Sequence, residues 1–335
     1  MNNFYKKLFF NTLILGTMIS ISSYSWFSMW MGLEINLLSM IPLMTGKSIF
    51  SSESALKYFI TQTLASSAIL FSIIMMSNTK EFIPQNSDYF LSMMMNSALL
   101  TKLGAAPFHS WFPEVLEGID WMNCLIMLTW QKIAPMILIM YNFQMNMFIT
   151  SIIIASSTVG SILGLNQTSL RKIMAYSSIN HIGWMIASMY SSPAWINYFA
   201  IYCIITINIT ILFIANKIYW TNQITHVYSQ SKQFKMAFMM NFLSLGGIPP
   251  FLGFFPKWIT INLMVNYKFY MLSFILIVLT LLTMFFYLRI TFSTLTINSS
   301  EILIKNNKLN MFTANCTNLI SISGLLVCTL IPNLT

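Results

Sequence analysis

Charged residues are scarce in this chain of 335 residues. Only 7% of the residues are Asp, Glu, Lys or Arg and 56% are hydrophobic, whereas about 25% of the residues in a soluble domain are charged. The mean hydropathy is +0.70. So little charge excludes a soluble fold and predicts a chain that lies almost entirely in a membrane.

Closely spaced cysteines are also missing. The four cysteines are far apart and form no C-x-x-C pair: Cys124, Cys203, Cys316 and Cys328. This spacing excludes a local zinc or iron–sulfur motif. The chain likewise contains no G-x-G-x-x-G motif after a strand and no P-loop, so neither dinucleotide nor ATP binding is indicated. We therefore expect no cofactor on this chain and any electron carrier on another protein.

Long apolar stretches make up most of the sequence. A membrane-spanning helix needs about 20 apolar residues, and the chain contains about eleven such stretches with short polar or Gly/Pro-containing breaks between them. Their approximate ranges are 4–24, 26–45, 54–77, 88–117, 121–142, 147–166, 172–190, 195–217, 235–264, 268–290 and 315–332. The sequence predicts an all-α polytopic membrane protein with about 11 transmembrane helices. The first stretch lacks an evident cleavage site, so we expect a retained helix and not a signal peptide.

The basic residues between these stretches are distributed unevenly. If the helices alternate in direction, twelve Lys and Arg residues fall on the side of the N-terminus and two, Lys80 and Lys268, on the other. The twelve are Lys6, Lys7, Lys47, Lys57, Arg171, Lys172, Lys217, Lys232, Lys235, Arg289, Lys305 and Lys308. The positive-inside rule places the N-terminus on the inner side and, with an odd helix number, the C-terminus outside. These charges flank segments and form no basic patch, so no nucleic-acid partner is expected.

Four ionisable residues interrupt the apolar stretches: Glu34, Lys102, Lys132 and Lys257. A charged group in hydrocarbon costs about 2.5–3.5 kcal/mol on insertion scales, so it normally faces a bundle interior or a wet cavity and has a partner. His181 lies in the middle of another stretch, where it either relays protons or packs as a hydrogen-bonded residue. These five residues are the candidate site for a charge path through the membrane.

Each of these charges also has a structural interpretation. A lysine in a membrane helix can extend its ammonium group to the interface, which is the expected role of Lys47, Lys57, Lys217 and Lys268 near segment ends. Glu34 can instead be a structural carboxylate that is hydrogen-bonded to Ser39 or Asn36.

Two segments of the chain resemble each other. LGAAPFHSWFPE begins at Leu103 and LGGIPPFLGFFPK begins at Leu245, and the match requires one inserted residue in the second copy. The offset of 142 residues from Gly104 to Gly246 covers five crossings, an odd number, so the second copy must run in the opposite direction. Inverted repeats with Gly/Pro-interrupted helices at matching positions indicate an ion site in secondary transporters.

The repeat predicts the domain organisation. Residues 1–142 form a first five-helix repeat with a broken helix near 103–107, and residues 147–290 form a second, inverted repeat with a broken helix near 246–250. Residues 291–335 form an inner-side loop and a final transmembrane helix. Prolines in these segments are expected to free carbonyl groups for a lysine or water, because proline removes the hydrogen bond to residue i−4. The pairs are Pro107 with Leu103, Pro135 with Gln131 and Pro256 with Leu252.

Five segments together resemble the antiporter-like membrane subunits of mitochondrial respiratory complex I: WMGLEINLLS, TKLGAAPFHSWFPEV, LTWQKIAPM, SSINHIGWM and GGIPPFLGFFPKW. The resemblance covers essentially the whole chain. It implies a multi-pass protein of the mitochondrial inner membrane, with its N-terminus on the matrix side and its C-terminus on the intermembrane-space side. It also implies a proton-translocating module without a redox centre. NADH, FMN, iron–sulfur clusters and ubiquinone are then expected on other subunits, and the partners are neighbouring antiporter-like membrane subunits and phospholipid.

The resemblance also implies roles for the candidate residues. In this family a glutamate at the position of Glu34 pairs with a lysine at the position of Lys102, and the path continues through lysines matching Lys132 and Lys257. His181 occupies a polar position between them. A nearby carboxylate stabilises a charged lysine. If Glu34 alternated between Lys102 and a group on a neighbouring subunit, Lys102 would alternately hold its proton and release it to Lys132.

Two other classes of function are open at this point. A stand-alone cation/proton antiporter would share the fold and the lysines, although no acidic cage for a hard cation is evident. A structural spacer would tolerate the loss of all the buried charges. A working path requires Glu34 near Lys102 and water-sized gaps between the titratable residues.

Overall fold

The computed structural model describes residues 2–46, 48–79, 86–144, 146–228, 232–249 and 251–295. These ranges contain fourteen α-helices, no strand and one isolated β-bridge between Ser169 and Trp220. The helices are α1 (Asn2–Ser22), α2 (Trp26–Met44), α3 (Ile49–Thr79), α4 (Asn86–Leu103), α5 (Trp111–Gly118), α6 (Trp121–Leu128), α7 (Trp130–Tyr141), α8 (Met147–Gly164), α9 (Leu170–Ser188), α10 (Ser192–Asn216), α11 (Thr221–Tyr228), α12 (Lys232–Gly246), α13 (Phe254–Asn266) and α14 (Tyr270–Leu295). The prediction of an all-α protein is confirmed.

Three predicted helices are interrupted. The stretch 88–117 forms α4 and α5, the stretch 235–264 forms α12 and α13, and the stretch 121–142 is divided at Thr129 into α6 and α7. The short helix α11 was not predicted and lies in an expected connection. The predicted final helix, 315–332, is outside the described residues.

Six helical segments of the described chain are long and apolar enough to cross a membrane. They are Trp26–Met44, Ile49–Ser77, Trp121–Tyr141, Met147–Gly164, Ser192–Asn216 and Tyr270–Phe292. Length and composition alone therefore do not confirm the predicted number of about eleven membrane-spanning helices. The halves of the broken helices are short, with 8 residues in α5 and 13 in α13. Helix α9 is not among the six segments, and 16 of its 19 residues are buried within the protein.

The chain divides into two compact units, Met1–Ile152 and Ile153–Thr335. In the first unit α2 packs between α1 and α3, and α3 also contacts both halves of the first broken helix. In the second unit α9 packs against α10 and α13, while α12 packs against α10 and α14. Each broken helix therefore lies against intact helices of its own unit.

A left-handed glycine ends the first half of the first broken helix. Gly104 has a φ angle of +74°, a conformation that glycine adopts without the penalty of a Cβ atom. The amide of Ala105 then donates to the carbonyl oxygen of Leu100 at 3.1 Å. This is the Schellman pattern of helix termination.

The second broken helix ends in the same way. Gly247 has a φ angle of +80°, and the amide of Ile248 donates to the carbonyl oxygen of Leu243 at 3.3 Å. Gly104 therefore corresponds to Gly247, and the helices resume at Trp111 and Phe254, again 143 residues apart. The predicted equivalence of Gly104 and Gly246 was wrong by one residue, and no inserted residue is required.

Glycine, and not proline, determines where these helices stop. Pro107 lies beyond the end of α4, where no helical hydrogen bond to Leu103 exists for it to remove. Pro256 lies in the first turn of α13, and the Leu252 carbonyl accepts a hydrogen bond from the Phe255 amide at 3.3 Å. The predictions for these two prolines were therefore wrong. Of these three prolines, only Pro135 lies in the interior of a helix, α7.

Candidate functional site

Lys102 lies in the last turn of α4, just before the first break, and only 8% of it is exposed. Its side chain borders a cavity of about 20 Å³. The cavity lining comes from α2, α3, α4 and α7: Leu33, Asn36, Leu37, Tyr58, Gln62, Lys102, Gln131 and Pro135. A polar cavity of this size holds about one water molecule. The break thus places a buried lysine beside a site that suits water.

A pair of amide side chains, the buried Asn36 and the half-buried Gln131, forms one wall of this cavity. The Gln131 Nε2 atom donates to the Asn36 Oδ1 atom at 2.8 Å and so joins α7 to α2. The next residue, Lys132, is 2% exposed, and its Nζ atom lies 5.9 Å from the centre of the Phe112 ring on α5. An aromatic face at this distance attracts a cation. Gln131 therefore lines the cavity, and the next residue on α7, Lys132, is a second buried lysine.

Glu34 on α2 lies close enough to Lys102 for their charges to attract each other. Among the described residues, however, the two are not within the 4.0 Å of an ion pair, and the Glu34 Oε1 atom is buried without a hydrogen-bond partner. Of the two alternative partners of Glu34, the Ser39 hydroxyl donates to the Asn36 backbone carbonyl at 2.7 Å, and the Asn36 Oδ1 atom accepts from Gln131. Glu34 and Lys102 therefore do not form the predicted ion pair in this structure.

The second unit contains a buried cluster around His181 on α9. The His181 Nδ1 atom and the Tyr198 hydroxyl share a hydrogen bond of 3.0 Å, and the Tyr202 ring lies 5.2 Å from the imidazole. A cavity of about 10 Å³ adjoins them, lined by His181, Tyr198, Ile201, Tyr202, Ile205, Ser244, Leu245, Gly253 and Pro256. This volume is near the lower limit for one water molecule.

Lys257 lies in the first turn of α13 and is 7% exposed. Its Nζ atom donates to the Gly246 carbonyl oxygen, the last of α12, at 2.6 Å. The terminal carbonyls of a helix lack helical partners and carry partial negative charge, so they favour a cation. The same Nζ atom lies 5.9 Å from the centre of the Trp184 ring, one turn after His181 on α9.

The five predicted residues fall into two groups. Glu34, Lys102 and Lys132 lie in the first unit, and His181 and Lys257 lie in the second. All three lysines are buried among protein side chains. Burial of this kind does not fit the alternative in which these lysines extend to the membrane interface.

Sequence comparisons identify the family. Residues 23–283 match the sequence model of the family described as NADH:quinone oxidoreductase/Mrp antiporter, transmembrane. NADH-ubiquinone oxidoreductase chain 2 of Anopheles gambiae is 46% identical over 99% of both chains. The protein of the same name from Aedes aegypti is 47% identical, again over 99% of both. This chain belongs to the NADH-ubiquinone oxidoreductase chain 2 family.

Comparisons with solved structures agree with this family assignment, because they find the same fold. A chain of respiratory complex I from Thermus thermophilus superposes with a TM-score of 0.88 at 22% identity, covering 98% of this chain and 80% of that one. A chain of the Mrp complex from Dietzia sp. DQ12-45-1b superposes with a TM-score of 0.80 at 14% identity, covering 96% and 74%. The resemblance to antiporter-like membrane subunits is thus confirmed for family and fold.

Sequence reasoning did not identify the neutral polar residues around Lys102 and His181. Tyr58 and Gln62 line the Lys102 cavity, and their spacing of four places them on one face of α3. That spacing within an apolar stretch was a usable signal. The contacts of Gln131 with Asn36 and of Tyr198 with His181 join different helices, and no local pattern predicts them.

Proposed function

We propose that this chain is a proton-translocating, antiporter-like subunit of respiratory complex I in the mitochondrial inner membrane. It couples electron transfer from NADH to ubiquinone, which occurs on other subunits, to proton movement through its own buried residues. The observation that carries this proposal is Lys102, a buried lysine at a helix break beside a water-sized polar cavity. Membership of the chain 2 family supports the same assignment.

In the first unit the proposed proton holders are Lys102 and Lys132, and Glu34 controls the first of them. A carboxylate that approaches Lys102 stabilises the protonated amine, and one that moves away favours proton release. Water in the cavity would carry the released proton past Gln131 towards Lys132. The unpaired Oε1 atom of Glu34 supports a carboxylate that exchanges partners, with a group on a neighbouring subunit as the second partner.

In the second unit His181 and Lys257 are the proposed proton holders. Imidazole can accept a proton on one nitrogen while donating from the other, and the Tyr198 hydroxyl fixes the orientation of the ring. Lys257 loses its charge when it releases a proton, which weakens its hydrogen bond to Gly246. Release of the proton would therefore loosen the second break.

The finer architecture belongs to the same proposal. We assign eleven crossings, with 1–142 and 147–290 as inverted repeats and 291–335 as a loop and a last helix. Matching backbone hydrogen bonds at the two breaks support the duplication. A second similarity also supports the duplication. A Cβ atom on Gly16 would lie 2.9 Å from the Asn36 backbone nitrogen, and one on Gly160 would lie 2.8 Å from the Asn180 backbone nitrogen.

Orientation, cofactors and partners are assigned on sequence grounds. The excess of basic residues on one side supports a matrix-side N-terminus and an intermembrane-space C-terminus. The cysteine spacing supports a subunit without a redox centre of its own, so that NADH, FMN, iron–sulfur clusters and ubiquinone bind elsewhere. Neighbouring antiporter-like subunits and phospholipid are the proposed partners.

The test is neutralisation of the buried lysines in the assembled complex. Lys102→Met and Lys132→Met should each lower coupled turnover and the proton-to-electron ratio per assembled enzyme. A reduction of roughly tenfold or more in coupled turnover is expected, because a positioned proton-transfer group contributes about 10²–10⁴ to a rate. Lys7→Met is the matched control, since Lys7 is exposed on α1.

Two outcomes would contradict the proposal. Normal coupling in both buried-lysine variants would assign a spacer role to the chain. Cation-dependent proton transport by the chain reconstituted alone in vesicles would assign a stand-alone antiporter.

A further inference from the structure

An ion-pair cluster outside the proposed path joins α3 to the resumed helix α5. The Lys57 Nζ atom lies 2.9 Å from the Glu114 Oε2 atom on α5 and 2.9 Å from the Glu53 Oε1 atom one turn earlier on α3. The Lys57–Glu114 pair links two helices, whereas the Lys57–Glu53 pair lies within α3.

Helix α5 depends on such contacts for its position. It has 8 residues, whereas isolated helices shorter than about 12–15 residues are marginal in water. It follows the non-helical segment 104–110 and ends just before α6. Tertiary contacts must therefore fix the helix, and most of those in the described chain are with α3.

The end of α5 fits tightly against the start of α3. A Cβ atom on Gly118 would lie 2.7 Å from the Phe50 carbonyl oxygen and 2.7 Å from the Ser54 Cβ atom. At the start of α5, the Trp111 ring lies 5.9 Å from the Tyr58 ring. The Lys57–Glu114 pair lies between these two contacts along α5, so three successive attachments hold α5 to α3.

Helix α5 also contacts Lys132 and the residue that precedes Lys102. The Trp111 Nε1 atom donates to the Thr101 carbonyl oxygen at 3.1 Å, next to Lys102. The Phe112 ring faces the Lys132 ammonium group at 5.9 Å. A shift of α5 would therefore move groups beside Lys102 and Lys132 together.

In the second unit, a charged residue at the position corresponding to Glu114 also holds the resumed helix to a neighbouring element. Glu114 is the fourth residue of α5, and Lys257, 143 residues later, is the fourth residue of α13. In the second unit this side chain holds the Gly246 carbonyl at the end of α12. In both units, a charged residue one turn into the resumed helix thus fastens that helix to a neighbouring element.

We propose that Glu114 and Lys57 are positioning residues, which fix α5 and thereby keep Trp111 in place against the Thr101 carbonyl beside Lys102 and Phe112 in place against Lys132. This proposal rests on the proposed function where it concerns coupling. Its structural part, the attachment of α5 by the ion pair, stands independently. Neither residue is assigned a step in proton transfer.

The test compares two variants that make the same chemical change. Glu114→Gln removes the link between the helices, while Glu53→Gln removes only the contact within α3. Amide hydrogen exchange of residues 111–118 in the assembled complex should accelerate at least several-fold in Glu114→Gln and remain unchanged in Glu53→Gln. Coupled turnover per assembled enzyme should fall in Glu114→Gln alone.

A charge exchange controls for a failure of assembly. The double variant Lys57→Glu/Glu114→Lys restores an oppositely charged pair between α3 and α5 and places a second carboxylate one turn from Glu53 on α3. It should recover assembly, slow exchange in α5 and coupling. An unassembled or uncoupled double variant, or equal exchange in the Glu114→Gln and Glu53→Gln variants, would overturn the proposal.

The two proposals can fail separately. If Lys102→Met leaves coupling intact while Glu114→Gln accelerates exchange, the proposed function fails and the attachment of α5 stands. If Lys102→Met abolishes coupling and Glu114→Gln changes nothing, only the positioning role is refuted.

Discussion

The Lys257 Nζ atom lies 2.6 Å from the Gly246 carbonyl oxygen, at the end of the helix half that precedes its own. A hydrogen bond to a charged group contributes about 1.5–3 kcal/mol. The protonated lysine therefore stabilises the geometry of the second break. Any step that removes this proton also removes part of what holds α12 against α13.

Lys257→Met should loosen the second break and lower coupling. The Gly246 carbonyl loses its cationic partner, so the Gly247 and Ile248 amides beside it should exchange with solvent faster in the assembled complex. Lys268→Met is the control, because Lys268 is exposed in the connection after α13. Unchanged exchange in Lys257→Met would show that the ammonium group does not hold the break.

Gly247→Ala should be more harmful than Gly104→Ala. Both glycines have positive φ angles, so each substitution costs about 1–2 kcal/mol of backbone strain. A Cβ atom on Gly247 would also lie 2.9 Å from the Lys257 Nζ atom, whereas one on Gly104 would lie 3.1 Å from the Phe112 Cβ atom. Coupled turnover per assembled enzyme measures the difference. Equal losses would mean that backbone strain alone is responsible.

The helices of this fold could largely be predicted from the sequence, because long apolar stretches and Gly/Pro breaks report directly on membrane segments. The register of the duplication could not. Two adjacent glycines, Gly246 and Gly247, offer equally good partners for Gly104, and only the φ angles show which one ends the helix. Helix α9 is not among the six apolar segments, and 16 of its 19 residues are buried within the protein, so hydropathy alone does not test whether such a helix spans the membrane.

The charged site residues could be predicted for a physical reason. A lysine or glutamate in an apolar segment is costly, so its presence indicates a function. Neutral groups such as Tyr58 and Asn36 carry a much weaker signal, because one hydrogen bond suffices to bury them. Their partners are set by helix packing between distant segments. Sequence reasoning therefore identified the buried ionisable residues and missed Tyr58, Gln62 and Gln131 beside them.

The Asn36–Gln131 pair allows stability and coupling to be separated. Gln131→Leu should destabilise the protein by about 1–3 kcal/mol, because it leaves the buried Asn36 amide without its partner, and Asn36→Leu should cost less, because Gln131 is only half-buried. The double variant should recover much of this stability, since both polar groups are gone. It should nevertheless stay poorly coupled, because an apolar wall makes the Lys102 cavity less suitable for water.

Thermal inactivation and coupled turnover of the assembled complex measure the two effects. A double variant that regained both stability and coupling would show that the amide pair serves only packing.

Tyr198→Phe should impair coupling while Tyr202→Phe does not. Both substitutions remove one buried hydroxyl group beside His181. The Tyr198 hydroxyl is hydrogen-bonded to the imidazole at 3.0 Å, whereas the Tyr202 ring lies 5.2 Å from it. Loss of a buried hydroxyl's hydrogen bond costs about 1 kcal/mol of stability, so the two variants should assemble alike. The Tyr198 variant additionally frees the imidazole to change its tautomer and rotate. A lower proton-to-electron ratio in Tyr198→Phe alone would therefore assign His181 to the path, and equal ratios in both variants would assign it to packing.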